Sequence, residues 1–347
     1  MARLKKRLLS KSPPRRSGGR WWLTLILFTV LLGVGTATAF VRYATAPFGF
    51  DAGPVRITVE PGSPLKSISR QLVRKGVLGQ AWPFSMLARF RGQGGSLQAG
   101  VYEVTAGMSP VELLDRMVRG EALRDQIKFI EGWTFKQMRA AIDAHPGLRH
   151  DTRELSERDI LERVGAIERD PEGLFFPDTY HFGVGTSDLV VLRKSYSRMR
   201  DRLRANWEQR APGLPLNSPY ELLILSSVVE KETGKPEDRT RISAVFLNRL
   251  KIGMRLQSDP TVIYGMGRQF DGNLRRRDLE TDGPYNSYTR AGLPPTPIAL
   301  PGEAALAAAA NPAASRALYF VARGDGTSHF SETLREHNRA VDQFQKR

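Results

Sequence analysis

A chain of 347 residues, 41% hydrophobic and 25% charged, is long enough for two domains with cores of their own and is no disordered polymer. Its formal charge of +16 looks like a nucleic-acid signature, but Arg3, Lys5, Lys6, Arg7, Lys11, Arg15, Arg16 and Arg20 supply half of it, and no acid occurs among residues 1–20. The rest carries a mild excess without a dense basic run, which argues against nucleic acid as a partner, and the absence of cysteine excludes disulfides, thiolate zinc sites and cysteine nucleophiles.

From Trp21 to Val41 no residue is charged. As a helix these residues span roughly 31 Å, about the thickness of a bilayer's hydrocarbon core. Trp21 and Trp22 stand where an interfacial aromatic belt would lie, and the basic tail of residues 1–20 precedes them, so the positive-inside rule keeps the N-terminus cytoplasmic. Ala37-Thr38-Ala39 has the form of a signal-cleavage site, but the apolar stretch exceeds an h-region of about 7–15 residues. Residues 42–51 read as a short linker.

Beyond it, "VRITV" alternates as a half-buried strand. A helix follows with Ser63 as N-cap, Pro64 at its first position and Gly76 as its stop, then a second helix over "AWPFSMLARF" and a strand over "LQAGVYEV". The order is strand, helix, helix, strand. Ser109 and Glu112 form a capping box for a third helix closed by Gly120. "QIKFI" reads as a strand and Thr134 as the start of a helix, whereas residues 143–187 resist assignment beyond an ordered loop at "EGLFFPDTYHF". A long amphipathic helix runs from about Asp188 to Trp207, with Leu192, Tyr196, Met199 and Leu203 on one face.

"LSSVVEKETG" closes the next helix, which opens at a Ser218/Glu221 capping box and is apolar nearly all round, so it should be buried. Glu230 is aligned with Leu223, Ser226 and Ser227, a face whose small serines would leave room for a ligand, while Glu232 points about 200° away by helix geometry. In water only roughly 0.2% of a glutamate is protonated at neutral pH, and both desolvation and a helix C-terminus raise that fraction. Glu230 is therefore a candidate general acid, or else a structural carboxylate paired with Arg239, Arg241 or Arg249.

The following helix spans about Pro236 to Ile252, and Asp259 reads as the N-cap of a short helix opened by Pro260. Residues 284–302 form an irregular stretch whose Tyr285, Asn286 and Tyr288 suit sugar contacts. A helix ended by Asn311-Pro312, a strand at "ALYFVA" and a last helix at "SETLREHNRAV" complete the chain. There is no HExxH, and His145, His150, His181, His329 and His337 do not cluster, so the sequence calls for neither metal nor cofactor.

The blocks "VVEKETG", "RISAVFLNRLKIGMRLQSDPTVIYGMG", "YNSYTRAGLPPTPIALPG" and "LYFVARGDGTSHFSETLREHN", after an apolar N-terminal segment, closely resemble the YceG-like endolytic murein transglycosylases. The resemblance implies an α+β chain: a transmembrane helix at 21–41, a small βααβ LysM-like glycan-binding module at 52–120, and a mixed α+β catalytic domain at 121–347. It implies a single-pass inner-membrane protein with periplasmic domains, acting on nascent peptidoglycan strands beside the peptidoglycan synthases of the elongation machinery. It maps the catalytic acid onto Glu230 and implies cleft contacts at Gln257, Ser258, Asp259, Asn286 and Tyr288. The expected chemistry is lyase cleavage of the N-acetylmuramic acid to N-acetylglucosamine bond with a 1,6-anhydro product, the sugar's own C6 hydroxyl replacing a second carboxylate. A non-catalytic, membrane-anchored peptidoglycan-binding scaffold is the competing expectation.

Overall fold

The computed structural model describes residues 21–49 and 53–345. The basic tail of residues 1–20 and the end of the expected linker lie outside the described residues. The chain divides into two compact units, one ending at Leu123 and the other beginning at Arg124.

The first unit opens with α1 (Trp21–Thr45), a helix long and apolar enough to cross a membrane. It continues past Val41 because Arg42 in the last turn suits a helix C-terminus and nothing there breaks the backbone pattern. Then come β1 (Val55–Val59), α2 (Leu65–Arg74), α3 (Ala81–Phe90), β2 (Gly100–Val104) and α4 (Pro110–Arg119). β1 and β2 pair antiparallel, Val55 opposite Val104, and the alternate residues Ile57, Val59, Tyr102 and Val104 point into a core shared with Leu72, Phe84 and Leu113. The expected capping box is present at Ser109 and Glu112, with Gly120 left-handed at φ 69°. Ser63 is no cap: Pro64 occupies the N-cap position of α2, and no side chain bonds to the helix start.

The second unit holds β3 (Arg124–Lys128), α5 (Phe135–Asp143), β4 (Leu148–Arg149), α6 (Glu157–Val164), β5 (Thr179–Gly183), β6 (Thr186–Ser187) and α7 (Asp188–Glu208). After them come α8 (Pro219–Glu232), α9 (Pro236–Lys251), α10 (Asp259–Met266), α11 (Arg276–Glu280), α12 (Glu303–Ala310), β7 (Tyr319–Ala322), β8 (Ser328–Ser331) and α13 (Leu334–Phe344). Its sheets are two-stranded: β3 with β5, β4 with β6, and the β7–β8 hairpin. The stretch that resisted assignment thus contains a capped helix and three short strands. Their spans of two to eight residues are too short to display a period.

α8 runs through the middle of this unit, contacting α7, α9, α10 and α12. Leu222, Leu225, Val228 and Val229 pack in one apolar cluster with Phe246, Leu256 and Ile298, while Leu223 belongs to another with Phe129, Phe175 and Leu306. The loop after α6 is pinned against the irregular stretch before α12. Gly173 sits at φ +78°, and a Cβ there would lie 2.4 Å from the Pro297 Cβ. Gly173→Ala is expected to cost about 2 kcal/mol, from left-handed strain plus overpacking against a rigid ring. The denaturation midpoint of the purified variant measures it, and an unchanged midpoint would mean that the loops part without penalty.

Candidate active site

The last turn of α8 sends three consecutive side chains to three different partners. Glu230 Oε2 accepts from Gly302 N at 3.0 Å, Lys231 Nζ donates to Gly132 O at 3.2 Å, and Glu232 Oε1 accepts from Ser258 Oγ at 2.5 Å. A helical rotation of about 100° per residue produces this divergence, and the extended Thr233 at the C-cap ends the helix directly afterwards.

Glu232 opens onto a cleft of about 520 Å³ whose walls include Arg249, Gln257, Asp259, Tyr288, Tyr319 and His337. Ser258 engages Oε1, whereas Oε2 has no hydrogen bond to protein among the described residues. Burial pushes the Glu232 carboxyl up to about 7, the Ser258 hydroxyl and the Arg249 charge opposing this and the Asp259 charge adding to it. At that value about half of the population carries a proton at neutral pH. Removing the Asp259 charge by Asp259→Asn is expected to lower the Glu232 pKa and shift the carboxyl's titration, followed by carbon NMR, to lower pH. A titration that stays in place would show that the two carboxyls do not interact.

The residues expected to line the cleft separate into two groups. Gln257, Asp259 and Tyr288 do line it. Tyr288 Oη donates to Asp259 Oδ1 at 2.6 Å, so Asp259 is a cleft acid held by a tyrosine and not an N-cap, a position that Ser258 takes without a side-chain bond. Gln257 has φ 50°, the only non-glycine residue at positive φ among the described residues, a placement costing of order 1 kcal/mol that concentrates at functional sites. Ser258 is buried, donates through its hydroxyl to Glu232 and through its N–H to Ser287 Oγ at 2.9 Å.

Asn286 belongs to the other group. It is buried, its Nδ2 donates to the carbonyls of Asp278, Leu279 and Thr281, and its Oδ1 accepts from Tyr288 N. The amide braces the loop that presents Tyr288 and leaves nothing for a sugar. Tyr285 likewise faces away, onto a second cavity of about 800 Å³ shared with Phe135, Glu172, Lys231 and Tyr264. Glu172 is nearly fully buried there, accepts from Phe135 N at 2.9 Å and Tyr264 Oη at 3.1 Å, and is pushed by burial up to about 7.

Glu230 lies one helical half-turn away from the wall of the Glu232 cleft, in the surroundings its spacing describes: a desolvated carboxyl beside an arginine. Its carboxyl is buried and raised in pKa, by desolvation first and by the Glu131 charge, against the Gly302 hydrogen bond and the charges of Arg239 and Lys231. Arg239 Nη2 stands 3.9 Å from Oε1, one of the three ion pairs considered from spacing. Arg241 lies over the Phe330 ring, and Arg249 donates to the carbonyls of Leu318 and Leu256. The hydroxyls of the small serines on that face are taken up by backbone: Ser226 Oγ and Ser227 Oγ donate to the Leu222 and Ile224 carbonyls, and Ile298 N donates to Ser227 Oγ at 3.0 Å.

Spacing along α8 sets Glu232 aside as facing away and does not bring in Arg249, Tyr319 or His337, all four of which line this cleft. No local signal marks Glu232 for the cleft: its direction follows from helix spacing, and the other walls come from elements distant in sequence. Among the described residues no group of three or more His, Asp or Glu side chains is arranged to hold a metal ion.

The chain matches the YceG-like family model over residues 57–343. It is 30% identical over 307 residues to the endolytic murein transglycosylase of Bacillus subtilis, covering 84% of each chain. It is 26% identical over 359 residues to the endolytic murein transglycosylase of Streptococcus pneumoniae, covering 92% of this chain and 64% of that one. A solved structure of a yceG-like protein from Listeria monocytogenes superposes with a TM-score of 0.51 at 30% identity, covering 83% of this chain and 98% of that one. With its α+β architecture, its apolar first helix and a match running through both units, the chain is a member of the YceG-like family.

Proposed function

We propose that this chain is an endolytic murein transglycosylase whose proton donor is Glu232. The observation that carries the reading is a carboxyl raised to about 7 by burial that lines a cleft of about 520 Å³ together with tyrosines and polar side chains. The family relatives bear that activity in their names. Glu232 is favoured over Glu230 because Gly302 N and Arg239 occupy Glu230, which is not among the residues lining that cleft.

In this mechanism the protonated Glu232 gives its proton to the oxygen joining N-acetylmuramic acid to N-acetylglucosamine. As the C1–O bond breaks, positive charge grows on the muramyl C1. The C6 hydroxyl of the same sugar bonds to C1 and returns its proton to the ionised Glu232. No water is consumed and the acid is regenerated. Because the nucleophile is tethered, one carboxyl suffices. Asp259, held by Tyr288, is suited to keep Glu232 protonated and to stabilise the cationic C1. The βααβ unit would act as a LysM-like glycan holder. α1 would span the inner membrane with its N-terminus in the cytoplasm, placing both units beside nascent strands and their synthases.

The test is product mass after incubating the full-length protein with purified glycan strands. Anhydro ends, one water lighter than reducing ends, support the reading. Reducing ends would make it a hydrolase, and uncut strands a binding scaffold.

A further inference from the structure

Within the first unit, α1 and α3 enclose a groove of about 710 Å³ whose walls are Gly33, Thr36, Ala37, Ala39, Phe40, Val41 and Tyr43 on one side and Trp82, Pro83 and Phe90 on the other. The only polar groups of α1 on that wall are the Thr36 and Tyr43 hydroxyls. Thr36 is satisfied within its own helix, donating to the Leu32 and Gly33 carbonyls at 2.9 Å. The Tyr43 hydroxyl is buried and has no hydrogen-bond partner among the described residues. Trp82 and Phe90 are 60% and 72% exposed, although they flank a helix whose Phe84 and Leu87 are buried in the core. Phe90 is not loose: its ring meets Phe40 of α1 edge-on at 5.7 Å.

Depth decides what fills this groove. Gly33 lies eight residues inward of Val41, about 12 Å along a helix axis, and the whole interval belongs to the charge-free stretch. If α1 spans a bilayer, as proposed above and as this inference requires, the inner part of the groove stands at the level of lipid tails. The outer part, at Tyr43 and Arg42, then stands at the level of ester and phosphate groups. Tryptophan and phenylalanine with an adjacent exposed arginine, here Trp82, Phe90 and Arg89, are the side chains that settle at such an interface.

We propose that the α1–α3 groove is a phospholipid site: one acyl chain lies between the helices, and α3 is set into the outer leaflet by Trp82 and Phe90. The first unit is thereby held flat on the membrane, and does not swing freely on its helix.

The chain's lack of cysteine makes the test direct, since each introduced cysteine carries the sole spin label. Trp82→Cys, Phe90→Cys, Val30→Cys and Ala106→Cys would be labelled with a nitroxide in the full-length protein. Each would be reconstituted in bilayers of phosphatidylethanolamine and phosphatidylglycerol, and collisions with oxygen compared with those of a water-soluble nickel complex. The expected oxygen-to-nickel ratio at 82 and 90 is at least about threefold above that at 106, approaching that at 30. A ratio at 82 and 90 equal to that at 106, with 30 still in lipid, overturns the lipid site alone. A water-exposed label at 30 overturns the membrane-spanning reading and the lipid site with it.

Discussion

Glu232→Gln is expected to slow the formation of anhydro ends by roughly 10²–10⁴-fold, the usual contribution of a positioned general acid. The amide keeps the shape of the side chain, and its oxygen still accepts from Ser258, so the variant should fold and bind strands at close to normal affinity. Glu230→Gln should stay within about tenfold of the parent, because its amide oxygen can still accept from Gly302 N and only a 3.9 Å ion pair with Arg239 is lost. The two substitutions, two residues apart on one helix, discriminate sharply. An inactive Glu230→Gln beside an active Glu232→Gln would return the acid to the face predicted from sequence spacing and remove the cleft from the mechanism.

Folding stability should fall as pH rises from about 4.5 to 7. Both Glu172 and Glu232 are raised from 4.5 to about 7 by burial. Below 4.5 each is protonated in both the folded and the unfolded chain, so neither contributes any pH dependence. Between 4.5 and 7 the unfolded chain releases the proton that the folded chain retains, and stability declines with pH. Above 7 both states are ionised and the loss is complete. Each group accounts for about 3 kcal/mol over that window, at 1.36 kcal/mol per pKa unit. Glu172→Gln should remove about half of the decline, leaving the remainder to Glu232. Melting temperatures of parent and variant across pH 4–8 measure it, and parallel curves would show that Glu172 is already ionised in the folded protein.

Glu172 also explains part of the architecture. Its two oxygens tie the N-terminus of α5, through Phe135 N, to α10, through Tyr264 Oη. Two elements far apart in sequence are thus fastened by one carboxyl. A glutamate in "EGLFF" offers no periodic signal for that role, since the loop has no repeating face and its partners lie 37 and 92 residues away.

What the amino-acid order determined alone is local. Ser109 with Glu112 and Thr134 with Gln137 each close a capping box within four residues, and the ten residues of α3 were delimited by their own pattern. The charge-free run of α1, the burial of α8 and the βααβ order were legible for the same reason: hydrophobic period and end signals act over one or two turns. Tertiary structure alone decided which glutamate faces the cleft. Helical spacing correctly separated Glu230 from Glu232, but it could not say which side would be covered. The Ile298 N–H closes on Ser227 from 71 residues away, and Gly302 N closes on Glu230 from 72 residues away. A side chain's solvent access depends on such long-range neighbours, so its pKa and its chemistry arise only once the chain has folded.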